Sequence, residues 1–403
     1  MRGIRRRELI KTATVGGIAL SLGGAQGLLV ANQEARAQEA PLRAASWPNR
    51  QLLDLLKIEH PLIQAPMGLH TSPAMPVAVG RAGGLGSFPC STFTAAQLRD
   101  LAGKLLAQTD RPLNLNFFCH VTKRDPALEA AWLKRLAPYF TELGVNPPAA
   151  LVSARPPFNA EMCDAVVALK PRVVSFHFGL PETTLVDRLK AAGCVIFSSA
   201  TTVAEARWLE EHGVDAVIAQ GLEAGGHRGM FLTTELASQL GTLALVPQVV
   251  DAVRIPVIAA GGIADGRGIA AAFALGAAGV QMGTAYLQCP EATISPYERA
   301  ALKSAKDNLT MVSNVLTGRP ARVFVNRIVR ELGPLAADAP SFPLGTPALA
   351  PLASKAESQG SADFSGMYGG QAAALGRELA CGELTSVLAK EALERIRTLS
   401  RAA

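Results

Sequence analysis

Residues 216–229 read Ala-Val-Ile-Ala-Gln-Gly-Leu-Glu-Ala-Gly-Gly-His-Arg-Gly. The opening apolar run has the pattern of a parallel strand buried on both faces, and after Gln220 it breaks into a glycine-rich turn that carries His227. A turn at the carboxyl end of such a strand is where an α/β barrel places its chemistry. Gly225 and Gly226 have no Cβ, so their N–H groups can approach a ligand closely while His227 stands just above the strand. Taken alone, Gly-Gly-His reads first as a tight turn with a hydrogen-bonded surface histidine, and the surrounding chain has to change that reading.

Outward from this turn, apolar runs alternate with amphipathic stretches at the period of βα units. The runs begin at Leu62, Gly84, Leu113, Val173, Cys194, Ala216, Ile255 and Gly279. Helical patterns lie between them at 73–82, 94–107, 182–192, 202–212, 243–253 and 266–276, several leaving through a glycine such as Gly193 or Gly213. Eight parallel strands with right-handed crossovers close without a free edge, so the expected fold is α/β, a (β/α)8 TIM barrel over 48–288. An excursion at 119–171, with helical patterns at 126–143 and 159–169, is expected to lie above the barrel. Residues 289–403 are expected to form a helical C-terminal cap over the strand ends. Its longest helix is expected at 296–316, with a Pro- and Ala-rich extended connection over 333–351 and helices after Gly370 and over 383–399.

Composition excludes several classes. A 403-residue chain that is 49% hydrophobic and 18% charged is a compact enzyme-like chain and neither fibrous nor disordered. The net charge of +6 is concentrated at the start, where Arg2, Arg5, Arg6, Arg7, Lys11 and Arg36 outweigh Glu8 and Glu34, so no nucleic-acid footprint is expected. Residues 1–37 read as a twin-arginine-type signal: paired arginines, an apolar Gly/Ala-rich run and small residues at Ala35 and Ala37. Export of the folded protein to the periplasm is expected, without stable membrane insertion once the signal is cut. An uncleaved N-terminal membrane anchor is the alternative. The six cysteines are scattered and form no Cys-x-x-Cys, so neither a metal site nor a structural disulfide is expected.

Two late strand ends have the form of an anion clamp. Ala260-Gly261-Gly262-Ile263 and Gln281-Met282-Gly283-Thr284 would converge backbone N–H groups and a hydroxyl where barrels bind phosphate. Either alone is also an ordinary β-to-α turn, with Asp265 capping the next helix.

These motifs, together with Gln-Ala-Pro-Met at 64–67, Ala-Gly-Gly-Leu-Gly at 82–86, Ser-Phe-His-Phe-Gly-Leu-Pro at 175–181 and Met-Tyr-Gly-Gly-Gln at 367–371, occur in an order that resembles the nitronate monooxygenases. The resemblance implies FMN at the strand ends. Gly262, Gln281, Met282, Gly283 and Thr284 would hold its phosphate and ribityl chain, Asn116, Gln220 and Gly225 would contact the flavin or its tail, and Met67 would lie beside the ring. It also implies that His227 removes a proton from the carbon bearing a nitro group and that O2 completes the oxidation, giving a carbonyl compound and nitrite. An imidazole suits that step because its ordinary pKa, about 6.5, lies near working pH. His177 is expected to face the same mouth and to bind the nitro oxygens of the substrate, with a histidine packed between Phe176 and Phe178 as the alternative. The alternatives on the same barrel are an NAD(P)H-dependent enoyl reductase and an exported flavin-binding or electron-transfer protein without turnover. A barrel without FMN that binds a sugar phosphate is a further reading.

Overall fold

The computed structural model describes residues 46–153, 155–305 and 310–402. The expected signal at 1–37 lies outside them. Each strand expected from sequence is present: β1 (Leu62–Gln64), β2 (Gly86–Pro89), β3 (Leu113–Phe118), β4 (Val173–His177), β5 (Val195–Ala200) and β6 (Ala216–Gln220) come first. After β7 (Gly226–His227), a two-residue strand in the glycine-rich turn, come β8 (Val257–Ala260) and β9 (Gly279–Met282). The barrel strands pair in parallel in the order β1-β9-β8-β6-β5-β4-β3-β2. Leu85 N–H donates to Leu62 O at 2.9 Å and Gln64 N–H to Leu85 O at 3.0 Å, which joins the two ends of that order into a ring. The chain is a TIM barrel.

The strands form because their apolar residues are buried on both sides, inside the ring and beneath the helices. Ile196, Phe197, Val217, Ile258 and Val280 are all fully buried. Several helices start at side-chain caps that stand in for missing turns. Thr94 and Gln97 make a reciprocal capping box, Asn159 caps onto Met162 N–H, Thr202 onto Glu205 N–H, and Asp265 onto Arg267 and Gly268 N–H.

Two expectations for the second half are corrected. The helix expected over 296–316 ends at Lys303, and Thr310–Ser313 is a strand that pairs antiparallel with Ala321–Phe324. These strands, β10 and β11, form a small sheet whose other edge is β7, with His227 opposite Ala321. The run at 333–351 is not wholly extended, since Gly345–Ser358 is a helix with Leu349 and Leu352 buried. Pro347 sits in its first turn, where no N–H is missed.

The excursion and this region make a second hydrophobic cluster. Trp132, Leu136 and Phe140 of the helix Pro126–Leu143 meet Val315, Val323, Ile328, Leu349 and Leu352. At about 1.5–3 kcal/mol for each fully buried large apolar side chain, this cluster holds residues 310–364 in place. The last helix, Cys381–Ala402, is the longest among the described residues. It does not cover the strand ends: it packs on the outside of the barrel against helices Gly266–Ala274 and Ala74–Arg81, with Thr385 bonded to the buried Tyr286 hydroxyl at 2.9 Å. The C-terminal region is therefore an elaboration between the eighth barrel strand and the helix that completes the outer ring.

This docking depends on a close approach at Gly266, where a Cβ would fall 2.4 Å from Glu391 Cβ. Gly268, one turn-face away, has only ordinary contact at 3.4 Å from Ile263. Gly266→Ala is expected to destabilise the protein by about 1–3 kcal/mol through overpacking. Gly268→Ala should be neutral or slightly stabilising. Thermal unfolding of the two variants checks this, and equal melting temperatures would contradict the docking.

Candidate active site

The strand ends open into a cavity of about 380 Å³. Its lining includes all of the residues singled out from sequence: Met67, Asn116, His177, Gln220, Gly225, His227, Gly262, Gln281, Met282, Gly283 and Thr284. Barrel closure brings them together from six strand ends. Such a volume lies within the range of cofactor sites, roughly 300–1,000 Å³.

His227 is held from three sides. Its carbonyl accepts from Gln220 Nε2 at 2.9 Å and from His177 Nε2 at 3.1 Å. Its ring Nε2 meets the Thr317 hydroxyl at 3.0 Å, and that hydroxyl donates to Arg319 O at 3.2 Å. Nδ1 has no hydrogen-bond partner among the described residues. Phe342 and Tyr368 flank the ring, with centroids 5.0 and 5.7 Å away. Burial, then the Arg155 charge and the neighbouring His177, Arg319 and His120, hold the His227 pKa well below its ordinary value, so the ring is neutral at pH 7.

Gln220 and His177 are occupied differently from expectation. Gln220 uses both ends of its amide on the loop, its Oε1 accepting from Gly229 N–H at 2.8 Å. His177 Nδ1 meets Ser199 Oγ at 3.0 Å while Nε2 holds the His227 carbonyl, so neither ring nitrogen is left for a substrate in this arrangement. Asn116 donates to Ser175 Oγ at 2.9 Å across two barrel strands.

On the other wall, Gly261 and Gly262 have φ of 113° and 68°, a conformation that glycine alone adopts without strain. A Cβ on Gly225 would lie 2.6 Å from Gly370 N, which explains the absence of a side chain where the loop meets the Met367–Gln371 segment. Thr284 Oγ1 accepts from Gly370 N–H at 2.9 Å and keeps its own proton to donate. Gln281 Oε1 is buried without a partner.

Sequence reasoning missed Arg155, Thr317, Arg319 and Arg228. The first three come from the excursion and the C-terminal elaboration, whose pairing with β7 no local motif announces. Arg228 stands in the quoted stretch itself, but its burial could not be read there: it is fully enclosed, and its guanidinium binds Gln220 O, Gly221 O and Gln239 Oε1 at 2.8–3.0 Å.

Stability should carry the mark of this packing. Burial pushes the His177 pKa down to about 3, against an ordinary 6.5 in the unfolded chain. As pH falls from 6.5 towards 3 the unfolded chain takes up a proton that the native ring refuses, so its contribution to stability is intact above 6.5 and declines through that window. Denaturant midpoints measured from pH 7 to 4 should fall, and His177→Gln should flatten the fall. An unchanged slope would mean that the native ring titrates freely.

Comparison with known proteins agrees with the geometry. A family model described as nitronate monooxygenase matches residues 49–391. A nitronate monooxygenase of Paraburkholderia phytofirmans is 42% identical over 355 residues, covering 87% of this chain and 97% of its own length. One of Pseudomonas aeruginosa is 42% identical over 341 residues, covering 84% and 97%. The crystal structure of a nitroalkane oxidase from Streptomyces ansochromogenes superposes with a TM-score of 0.79 at 36% identity, covering 87% of this chain and 99% of that one. The match runs from the first barrel helix into the last, and on it the chain belongs to the nitronate monooxygenase family of oxidoreductases.

Proposed function

We propose that the protein is an FMN-dependent enzyme that oxidises alkyl nitronates and their parent nitroalkanes with O2 to a carbonyl compound and nitrite, with His227 as the proton-abstracting base. The observation that carries this reading is the placement of His227: an imidazole anchored at Nε2 by Thr317, on the wall of a glycine-lined cavity.

The residues present fit FMN. Gly225, Gly261 and Gly262 line the cavity without side chains, Thr284 retains a proton to donate, and the orphaned Gln281 Oε1 needs a donor. Gly262 and Gln281 to Thr284 would hold the phosphate and ribityl chain, with Asn116, Gly225 and Met67 beside the rest. When bound, FMN supplies an electron acceptor that can pass electrons on to O2.

The chain's own residues do the remaining work. Because the Thr317 proton goes to Arg319 O, Thr317 accepts from His227 Nε2–H, and Nδ1 is left with a lone pair. Nδ1 takes the proton from the carbon beside the nitro group, and the imidazolium that forms is less costly once the substrate has become an anion. Arg155 lines the same cavity and is the cation available to the nitro oxygens, the role that His177 cannot fill with both nitrogens engaged. His177 and Gln220 instead position His227 through its carbonyl. Residues 1–37 retain their reading as a twin-arginine signal, with the folded holoenzyme delivered to the periplasm.

The test separates proton transfer from oxidation. His227→Ala should lower kcat/KM for a neutral nitroalkane by about 10²–10⁴-fold, the usual worth of a positioned general base. It should leave FMN content unchanged and affect a preformed nitronate far less, since that substrate has already lost the proton. Equal losses on both substrates would overturn the base assignment, and loss of FMN would make His227 a cofactor contact.

A further inference from the structure

Away from the cavity, the two ends of the C-terminal elaboration meet. Cys289 follows the short helix after β9, and Cys381 is the first residue of the last helix. The two thiols and a carboxylate oxygen of Glu291 all lie within 4.8 Å of one another, and no other such group of His, Cys, Asp and Glu occurs among the described residues. Both cysteines are fully buried and unpaired.

Glu291 supplies a second, independent observation. Its Oε1 accepts from Cys381 N–H at 2.9 Å, which fixes the carboxylate at the start of the helix. Its Oε2 is buried and has no partner. An ionised carboxylate oxygen out of water without a donor is costly, and a cation between it and the two sulfurs would satisfy all three groups. Glu291 itself is only half-buried, so it is the side of the site nearest solvent.

We propose that Cys289, Glu291 and Cys381 form a site for a thiophilic divalent cation that clasps the two ends of the elaboration together. Two thiolates and a carboxylate are the donor set of zinc(II), for which hard cations such as magnesium are poor competitors. Three protein donors leave one tetrahedral position for water. Each thiol releases its proton to solvent as the ion binds, so affinity rises with pH. The clasp pins the base of the segment that carries Thr317 and Arg319 over the active site. The spacing of the cysteines in sequence hides the site, because only the return of the last helix to the barrel brings them together.

The experiment uses the full chain with its FMN, purified without a polyhistidine tag, dialysed against zinc chloride and then against metal-free buffer. Zinc per chain is counted by plasma mass spectrometry. One zinc per chain is expected in the wild type, with zinc affinity lowered at least about tenfold in Glu291→Gln and zinc absent from Cys289→Ser. Circular dichroism confirms that each variant is folded, and Glu291→Gln keeps the test open should the cysteine variant fail. Zinc retained equally by both folded variants would show an adventitious ion only and overturn the proposal. So would a Cys289–Cys381 disulfide in the unreduced peptide map of protein that takes up no zinc.

Discussion

The active-site turn depends on one buried charge. Arg228 lies wholly inside the protein next to His227, and burial lowers its pKa to about 10, which still leaves it cationic at neutral pH. An enclosed guanidinium is tolerable only when its donors are met. Here they are met by the carbonyls of Gln220 and Gly221 and by the Gln239 amide, while Arg228 N–H donates to Pro320 O at 2.8 Å. The side chain ties the loop back to the end of its own strand, and the backbone ties it forward to the β10–β11 sheet. Between those anchors the loop has one conformation, and His227 has one place.

That geometry joins two layers with different histories in the sequence. The barrel supplies a rigid rim of glycines and amides that can receive a cofactor. The elaboration supplies Thr317, Arg319 and Tyr368, which enclose His227 and engage its Nε2 through the Thr317 hydroxyl. In the proposed function neither layer makes a base alone. The barrel without the elaboration leaves Nε2 without Thr317, and the elaboration has no catalytic group of its own.

The barrel was legible because each strand is a short apolar run between glycine or proline signals, a pattern that needs no knowledge of distant residues. The residues lining the cavity were legible for the same reason, since the strand ends name them. What could not be read was set by long-range pairing. Thr310–Ser313 became a strand through Ala321–Phe324, and Gly345–Ser358 became a helix because Leu349 and Leu352 bury against Trp132 and its neighbours, overriding prolines that locally suggest extension. The helix expected over 383–399 is present as Cys381–Ala402, but its docking on the outside of the barrel, against helices far away in sequence, could not be read. His177 shows the limit within the site itself: sequence placed it in the mouth, and only the structure shows both its nitrogens committed to Ser199 and the His227 carbonyl.

The most direct measurement is anaerobic. The FMN-loaded chain is mixed with ethylnitronate in one cuvette and with a reduced nicotinamide in another, and the visible absorbance is followed before air is admitted. Bleaching is expected with the nitronate and little change with the nicotinamide, then nitrite and the aldehyde as colour returns in air. Rapid bleaching by the nicotinamide with no response to the nitronate would contradict it and assign the barrel to a reductase.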